Sequence, residues 1–245
     1  TIMKKGEVVS GFKVPPHPKG ISIDGKLVSI KPLIANEFAE ELFMANALDK
    51  EGINWEYLPY GPFENLSDYI DWIQSFEEHN DPVFFAIISK KLKKAIGIAS
   101  YLRINPNDGL IEVGHINYSP LLQRTTEGTE AMFLMMQWAF DNGYRRYEWK
   151  CNALNMRSRK AAQRLGFSYE GVFRQMTISK GRNRDTAWFA IIDKDWQVIQ
   201  KCFHQFLSDI NLDEKSKYSL SSLTKPLLYK VCLLYTSDAA DDGLS

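Results

Sequence analysis

The sequence predicts a mixed α/β fold, with a mostly antiparallel sheet of six to seven strands and helices on both of its faces. The first observation is the order of apolar patterns, which runs as one strand, two helices, three strands, a long helix, a strand, a short helix and two strands. The second is that turn sequences separate consecutive apolar runs, which is typical of antiparallel neighbours. The third is composition, because 245 residues with 44% hydrophobic content can bury the core of one domain.

The first half of the chain carries four of the predicted strands and two of the helices. Alternation in KLVSIKPL predicts a strand that ends at Pro32, and apolar residues at helical spacing over 35–49 predict the first helix. A second amphipathic helix is predicted over 67–79, with Ser67 as its N-cap. Three antiparallel strands are then predicted from the apolar runs PVFFAIIS, KAIGIASYLRI and GLIEVGHINYS, which KKLKK and NPNDG separate.

The second half begins with the strongest helical pattern of the chain. Thr125 or Thr126 can cap this helix, and apolar residues then continue for three turns until the sequence DNG. A strand over 145–153 and a short helix from Asn155 to Leu165 follow, and Gly166 suits the position after that helix. The remaining elements are predicted as a hairpin around KGRNR, with strands at 167–179 and 185–193, and a closing helix at 193–210.

Four segments are predicted along the chain. Residues 1–20 form an N-terminal arm, because the prolines of KVPPHPKG interrupt regular structure, and residues 21–210 form the domain. Residues 211–231 are a C-terminal extension without a clear period. Residues 232–245, CLLYTSDAADDGLS, read like the in-frame translation of a sequencing-library transposase adaptor, and we expect them to be disordered.

Charge and cysteine content argue against several classes of protein. Thirty basic and thirty acidic side chains produce no net field that would attract nucleic acid or an anionic membrane. No run approaches the roughly 18 apolar residues of a membrane span. Cys151, Cys202 and Cys232 show neither a CxxC pair nor zinc-finger spacing, so no metal site or disulfide framework is predicted. We therefore expect a cytoplasmic protein without a metal.

Two polar loops, each of which opens a predicted helix, are the strongest candidates for a ligand site. The first is QRTTEG, residues 123–128, and the second begins at Asn155 and leads through Ser158 into LGF at 165–167. Free N–H groups and the positive end of the helix dipole favour phosphate at such a position, and Arg124 adds a positive charge. Either loop taken alone is also explained as an ordinary capped helix start.

With the order of elements, these two loops resemble the GNAT superfamily of acyl-CoA N-acyltransferases, in the branch of ribosomal-protein alanine acetyltransferases and relatives. The resemblance covers about residues 21–210. It implies that acetyl-CoA is the cosubstrate and that the first loop and helix start hold its pyrophosphate, through Gln123, Arg124, Thr125, Thr126, Gly128 and Thr129. Thr126 replaces the middle glycine of the family motif, and we expect a conformational cost where glycine would allow a positive φ.

The resemblance also assigns roles near the second loop. Asn155 is expected to hydrogen-bond the pantetheine arm and Arg159 to approach phosphates, while the alternatives are an N-cap and a solvated basic face. Family enzymes often carry a tyrosine as general acid at the position of Ala162. Ser158, or a water that it holds, is the expected substitute. Asn152 is expected to orient the amine or the acyl carbonyl.

The strand IEVGHINYS supplies the expected base. Glu112 is predicted to take a proton from the attacking amine, and the alternative is a structural carboxylate paired with an arginine or lysine. Strand alternation is expected to put Glu112, Gly114, Ile116 and Tyr118 on one face and His115 on the other, where it packs in the core. The resemblance implies that the backbone near Ile116 and Tyr118 contacts the acyl and pantetheine chain.

An aromatic loop is expected to lie over the acceptor. It contains Trp55, Tyr57, Tyr60 and Phe63, which form either a binding wall or a satellite core. Arg182 or Arg184 in the KGRNRD turn is expected on the same side, where it either reads an acidic acceptor or remains solvated.

The predicted function is transfer of an acetyl group from acetyl-CoA to a primary amine, by direct attack in a ternary complex. The acceptor is a small molecule or a protein N-terminus, and neither nucleic acid nor a membrane is an expected partner. A homodimer is left open. The alternatives are a GNAT-like protein that binds acyl-CoA without turnover, and a structural module that does not bind the coenzyme.

Overall fold

The computed structural model describes residues 5–208 and 218–230 of the chain, and a single sheet runs through this part. Its strands are β1 Ile23–Asp24, β2 Val28–Pro32, β3 Val83–Ser89, β4 Lys94–Asn105, β5 Leu110–Tyr118, β6 Arg146–Asn152, β7 Ser168–Ser179 and β8 Arg182–Ile192. Its helices are α1 Ala35–Asn46, α2 Leu66–Glu77, α3 Thr126–Asp141, α4 Met156–Arg164, α5 Asp193–Ser208 and α6 Leu220–Thr224. The strand order is β1-β2-β3-β4-β5-β6-β8-β7.

The predicted mixed α/β sheet is confirmed, with one strand more than expected. The extra strand is β1, in which Ile23 pairs with Ile30 and Asp24 with Ser29. Two residues are too few to show an alternating pattern, so the sequence could not reveal this strand. Every neighbouring pair is antiparallel except β5 and β6, which are parallel.

Helices cover both faces of the sheet, as predicted, and each face has its own apolar core. On one face, α3 and α5 bury side chains such as Phe133, Met135 and Phe203 against the sheet. On the other face, α1 and α2 bury Leu42 and Ile73 against β3 and β4. The face of the sheet that a side chain points to therefore decides which core it joins.

The predicted cap of α2 was wrong by two residues. The N-cap is Asn65, whose side-chain oxygen accepts a hydrogen bond from the amide of Asp68 at 2.9 Å. Ser67 lies inside the helix, because the first helical residue is Leu66. For α3, Thr125 rather than Thr126 is the cap, and its hydroxyl accepts from the amide of Gly128 at 3.0 Å.

A β-bulge in β5 overturns the predicted alternation. Between the paired positions Gly114 and Asn117, β5 has one residue more than β4 has opposite it, and His115 takes the left-handed conformation with φ 49°. An extra residue in one strand shifts every later side chain to the opposite face. Ile116 and Tyr118 consequently pack on the α3 side rather than sharing a face with Glu112.

The parallel pair β5 and β6 separates before either strand ends. Pairing runs from Leu110 with Arg146 to Val113 with Trp149 and then stops. β5 continues to Tyr118, while β6 stays paired to β8 as far as Asn152. A wedge-shaped gap therefore opens in the middle of the sheet. The strand on one side of this gap, β5, leads through a short loop into α3.

The segments outside the predicted domain contact it where they are described. The hydroxyl of Tyr144 donates to the carbonyl oxygen of Pro16 in the arm at 3.0 Å. Leu220 and Thr224 of α6 are buried, and the Thr224 hydroxyl donates to the carbonyl oxygen of Arg164 at 2.9 Å. The predicted boundary at residue 210 and the adaptor-like tail from residue 232 lie outside the described residues, and the four segments stay predictions.

Candidate active site

The loop before α3 is held open by hydrogen bonds from its neighbours. The side-chain amide of Gln123 donates to Asn54 Oδ1 at 2.6 Å and to the carbonyl oxygen of Tyr118 at 2.8 Å. Arg124 is left-handed, with φ 59°. Within the described residues, the amides of Arg124 and Thr125 donate to no protein acceptor. Successive unpaired amides at a helix start form a concave binding site for an anion.

The expected cost of threonine at the middle-glycine position is not present. Thr126 is the first residue of α3, and the positive φ falls on Arg124 instead. Glycine is needed at position 128 for another reason. A Cβ there would lie 2.8 Å from the carbonyl oxygen of Leu122 and 2.8 Å from the ring of Tyr118. The loop is therefore packed closely around Gly128, and Thr126 fits a helical backbone.

The second loop begins α4 with Asn155 as its N-cap. The Asn155 side-chain oxygen accepts from the amide of Ser158 at 3.0 Å, while its side-chain NH₂ donates to no acceptor within the described part of the chain. One side chain can thus cap the helix and still donate to a ligand. Asn152, at the end of β6, accepts from the amide of Leu154 at 2.9 Å.

Ser158 lies on the α3 side of the sheet. Its hydroxyl accepts a hydrogen bond from the indole of Trp149 at 2.9 Å, and Trp149 belongs to the core beneath α3. Ala162, one turn further along α4, is fully buried. The position where the family often carries a tyrosine is thus packed into the core, whereas Ser158 is only partly buried.

The basic residues of α4 differ in what they contact. Arg159 donates to the carbonyl oxygen of Ala153 at 3.0 Å, so it is turned toward the loop that precedes the helix. Arg164 reaches across to α3, and both of its terminal nitrogens lie 3.2 Å from the Thr129 hydroxyl. The role of Arg164 was not predicted, because nothing local in the sequence distinguishes it from the other bases of α4.

A row of alternating charges, buried at its centre, crosses the opposite face of the sheet. Arg103 contacts Glu112 Oε1 at 2.8 Å, and Lys150 contacts Glu112 Oε2 at 2.8 Å. Lys150 also contacts Glu148 at 2.8 Å and lies 3.9 Å from the centre of the Trp188 ring. The side chains of Glu112, Glu148 and Lys150 are each at most 7% exposed, so these ion pairs are largely shielded from water.

The row continues to the edge of the sheet. Arg146 contacts Glu148 at 2.6 Å and forms two hydrogen bonds with Glu170, at 2.9 and 2.6 Å. Burial raises the pKa of Glu112 above its usual value, and the charges of Arg103 and Lys150 oppose that shift. The pKa of Glu148 is lowered, because the hydrogen bonds and charges of Lys150 and Arg146 exceed the effect of its burial.

Glu112 is placed next to the gap between β5 and β6. It pairs with Glu148 one step before the last paired residues of the two strands. A Cβ at Gly114 would lie 3.7 Å from Glu112 Oε1, so the carboxylate is directed toward the separated part of β5. The carboxylate lies beside the gap and is paired with basic residues, and its two alternative roles both stay predictions.

The aromatic loop is part of the second core as well as a neighbour of the gap. Trp55 is buried and packs edge-on against Tyr60 and Phe63. Tyr57 is half-buried. Lys180, at the tip of the β7–β8 hairpin, donates to the carbonyl oxygen of Trp55 at 2.9 Å. The hairpin tip and the aromatic loop are therefore in contact, on the same side of the sheet, as predicted.

His115 lies between this loop and the row of charges. Its ring stacks on Tyr60 and packs against Phe84, and its Nδ1 lies 3.2 Å from the Tyr60 hydroxyl. Burial, with the charges of Arg103 and Arg184, lowers the pKa of His115 to about 4. The imidazole is consequently neutral at neutral pH.

We expect His115 to make the fold sensitive to acid. Its pKa is about 4 in the folded state against about 6.5 unfolded, so the folded state loses up to about 3 kcal/mol relative to the unfolded state as pH falls through this window. His115→Asn, which also tolerates the left-handed backbone, should remove that loss. Urea unfolding at pH 7, 5.5 and 4.5 measures it, with the exposed His79→Asn as control. Equal acid sensitivity in the wild type and His115→Asn would contradict the expectation.

The two arginines of the KGRNRD turn have different environments. Arg182 is exposed, whereas Arg184 is half-buried on β8 and its Nε is fully buried. Burial lowers the pKa of Arg184, and the charges of Cys151, Arg103 and Glu112 also act on it, which places the guanidinium near both Cys151 of β6 and the row of charges beside the gap.

The described residues contain no group of three or more histidine, cysteine, aspartate or glutamate side chains arranged to hold a metal ion. None of the helices in 5–208 and 218–230 is both long and apolar enough to cross a membrane. A cytoplasmic location stays a prediction.

Comparison with known proteins agrees with this geometry. Residues 30–168 match the family described as acetyltransferase (GNAT) domain. A GCN5-related N-acetyltransferase from Brucella melitensis is 36% identical, with a TM-score of 0.85, over 89% of this chain and 100% of its own. A probable acetyltransferase of the GNAT family from Chromobacterium violaceum is 38% identical, with a TM-score of 0.74, over 80% of this chain and 98% of its own.

A more distant similarity concerns the fold. The microcin C7 self-immunity acetyltransferase MccE, solved in complex with acetyl-CoA and AMP, is 24% identical, with a TM-score of 0.60, over 69% of this chain and 93% of its own. No curated protein sequence shows significant similarity to the chain. The resemblance drawn from the two loops is confirmed by the family match.

Proposed function

Since this chain belongs to the GNAT acetyltransferase family, we propose that it transfers an acetyl group from acetyl-CoA to a primary amine. The observation that carries the proposal is the gap between β5 and β6, which lies between a helix start suited to phosphates and a buried carboxylate. A thioester held in such a gap can be approached by an amine from the face opposite α3. Direct attack in a ternary complex then requires no covalent enzyme intermediate.

The α3 side is the proposed coenzyme side. The unpaired amides of Arg124 and Thr125 bind the pyrophosphate, and the Arg124 guanidinium adds charge. The free NH₂ of Asn155 donates to the pantetheine arm, which runs along the unpaired edge of β5 near Ile116 and Tyr118. The other proposed contacts at the two helix starts are Gln123, Thr126, Gly128, Thr129 and Arg159.

The opposite face is the proposed acceptor side. Tyr57 and Tyr60 form part of the wall around the amine, and the buried Trp55 supports them. Asn152, at the end of β6, orients the amine or the acetyl carbonyl. Glu112 takes the proton of the attacking nitrogen through a bound water, and burial raises its pKa, which makes the carboxylate a stronger base than an exposed one.

In the proposed reaction, the attacking amine loses one proton and the coenzyme thiolate gains one. The amine nitrogen forms a bond to the acetyl carbon, the carbon–sulfur bond breaks, and the electron pair leaves with the coenzyme thiolate. Glu112 receives the proton lost by the amine. The thiolate takes a proton from solvent through a water that the Ser158 hydroxyl, whose oxygen accepts from Trp149, helps to hold.

Coenzyme binding is the direct test of this proposal. Arg124→Gly removes the side chain while keeping the left-handed backbone, and Asn155→Ala removes the amide. Each variant is expected to weaken acetyl-CoA binding by about 1–3 kcal/mol, which is typical of a lost charge-assisted or buried hydrogen bond. Isothermal titration calorimetry measures the affinity, and the exposed Lys160→Ala is the control for a general loss of positive charge.

Asn155→Ala also removes a helix cap, so its melting temperature without ligand must be measured beside its affinity. The coenzyme should raise the melting temperature of the wild type, since a ligand that binds the folded state stabilises it. Unchanged affinity in both variants, with the fold intact, would reject the assigned contacts. No thermal shift of the wild type at millimolar acetyl-CoA would reject the function itself.

A further inference from the structure

Arg184 is a half-buried cation without a counterion in the described part of the chain. Its Nε is fully buried and donates to no acceptor, and no carboxylate of the described residues forms an ion pair with it. The adjacent Asp185 is engaged elsewhere, because its carboxylate accepts from the amide of Gln175 at 2.7 Å and from the side chain of Asn183 at 3.0 Å. A buried donor without a partner costs free energy unless a ligand completes it.

The nearby negative charges are already compensated. Glu112, which acts on Arg184 electrostatically, is held by Arg103 and Lys150 at 2.8 Å each. Glu148 is likewise held by Lys150 and Arg146. Among the described residues, Arg184 therefore remains a positive charge without a carboxylate partner near the Glu112 end of the row.

The position of Arg184 relates it to the gap. In the β6–β8 pairing, Asn152 lies opposite Thr186, and the amide of Ala153 donates to the carbonyl oxygen of Asp185 at 2.8 Å. Arg184 precedes Asp185 in β8, and it therefore lies beyond Asn152, the last residue of β6. Trp188 on the same strand carries a second buried donor, its indole nitrogen, without an acceptor among the described residues.

We propose that Arg184 binds an anionic group of the acceptor, so that the preferred substrate is a small primary amine carrying a carboxylate or a phosphate. The planar guanidinium presents paired donors that match either group in a two-point contact. The inference rests on the proposed acetyl transfer, because it names the class of amine that the acceptor side receives.

Three short amines of similar length distinguish recognition of a carboxylate, recognition of a phosphate and the absence of an anion site. β-Alanine carries a carboxylate, O-phosphoethanolamine carries a phosphate, and ethanolamine carries a neutral hydroxyl. The wild type is expected to acetylate β-alanine or O-phosphoethanolamine with a kcat/KM about 10- to 100-fold above that for ethanolamine, which corresponds to one charge-assisted contact. The anionic amine with the higher kcat/KM shows whether Arg184 prefers a carboxylate or a phosphate.

Three substitutions at two arginines of the same turn provide a matched comparison. Arg184→Gln should remove the preference for the anionic amine while leaving kcat/KM for ethanolamine within about threefold of the wild-type value. Arg184→Lys should restore part of the preference, because the charge returns without the two-point geometry. Arg182→Gln removes an exposed arginine of the same turn and should keep the wild-type preference. An unchanged preference in Arg184→Gln, or a wild type that prefers ethanolamine, overturns the proposal.

Binding measured without turnover separates this inference from the proposed function. Titration of the wild type with β-alanine and with O-phosphoethanolamine should show saturable heat for at least one of them, lost in Arg184→Gln and kept in Arg182→Gln. Such binding without acetylation of any of the three amines would reject the acetyl transfer but support the anion site. Acetylation of ethanolamine without binding of either anionic amine would reject the anion site but support the acetyl transfer.

Discussion

Lys150→Met is expected to lower the free energy of unfolding by about 3 kcal/mol. Lys150 is buried between Glu112 and Glu148, at 2.8 Å from each. Its removal leaves two carboxylates buried on adjacent parallel strands at directly paired positions. Breaking a buried ion pair by deleting one partner is costly, because the remaining charge stays out of water without full compensation. Chemical denaturation of the wild type and the variant measures the difference.

An exposed pair of similar length provides the control. Lys194 and Glu7 are also in contact, at 2.9 Å, but both side chains are mostly exposed. Lys194→Met should leave stability unchanged within error, because water already solvates both charges. The double variant Lys150→Met with Glu112→Gln should regain part of the loss, since it removes one charge of each sign. A loss in Lys150→Met no larger than that in Lys194→Met would show that the row of charges does not stabilise the fold.

Glu112→Gln is expected to lower kcat by about 100- to 10,000-fold, the range attributed to a positioned general base. The substitution keeps the shape of the side chain, and Lys150 retains Glu148 as a partner. Acetyl-CoA affinity should be unchanged, because the proposed coenzyme contacts lie on the α3 side. The activity of the wild type should fall as pH drops through the raised pKa of Glu112, since the base must be ionised.

Glu170→Gln is the matched control for this experiment. Glu170 belongs to the same row of charges but pairs with Arg146 at the edge strand β7, far along the row from the gap. It should keep the wild-type kcat. If Glu112→Gln turns over within about threefold of the wild type, Glu112 is a structural partner of Arg103 and Lys150 only. A GNAT-like protein that binds acyl-CoA without turnover would instead show coenzyme binding and no amine acetylation in the wild type.

The two helix starts at the candidate site were predicted correctly from local sequence. The starts of α3 and α4 were recognisable because capping is a contact between a side chain and an amide three residues later, as with Thr125 and Asn155. The order of strands and helices follows from periodicity over short windows. These features depend on neighbours in sequence, and therefore a single sequence contains them.

The parts that depend on pairing between strands were not predictable in the same way. The bulge at His115 arises from the register of β5 against β4, so strict alternation placed Ile116 and Tyr118 on the wrong face. The contact of Lys150 with Glu112 requires the parallel register of β5 and β6. One local signal in the sequence does indicate the row of charges. Arg146, Glu148 and Lys150 alternate along one strand, a pattern that indicates a charged face.

The early separation of β5 from β6 also has a mechanical consequence. Across the centre of the described sheet, the two halves are joined by only four paired positions, from Leu110–Arg146 to Val113–Trp149, all at one end of the gap. We expect small rotations about that end to widen or narrow the gap, because the backbone pairing of β5 and β6 is confined to it. No comparable freedom exists between β3 and β4, which remain paired over seven positions. Under the proposed function, such rotations would let the gap receive acyl groups of different thickness.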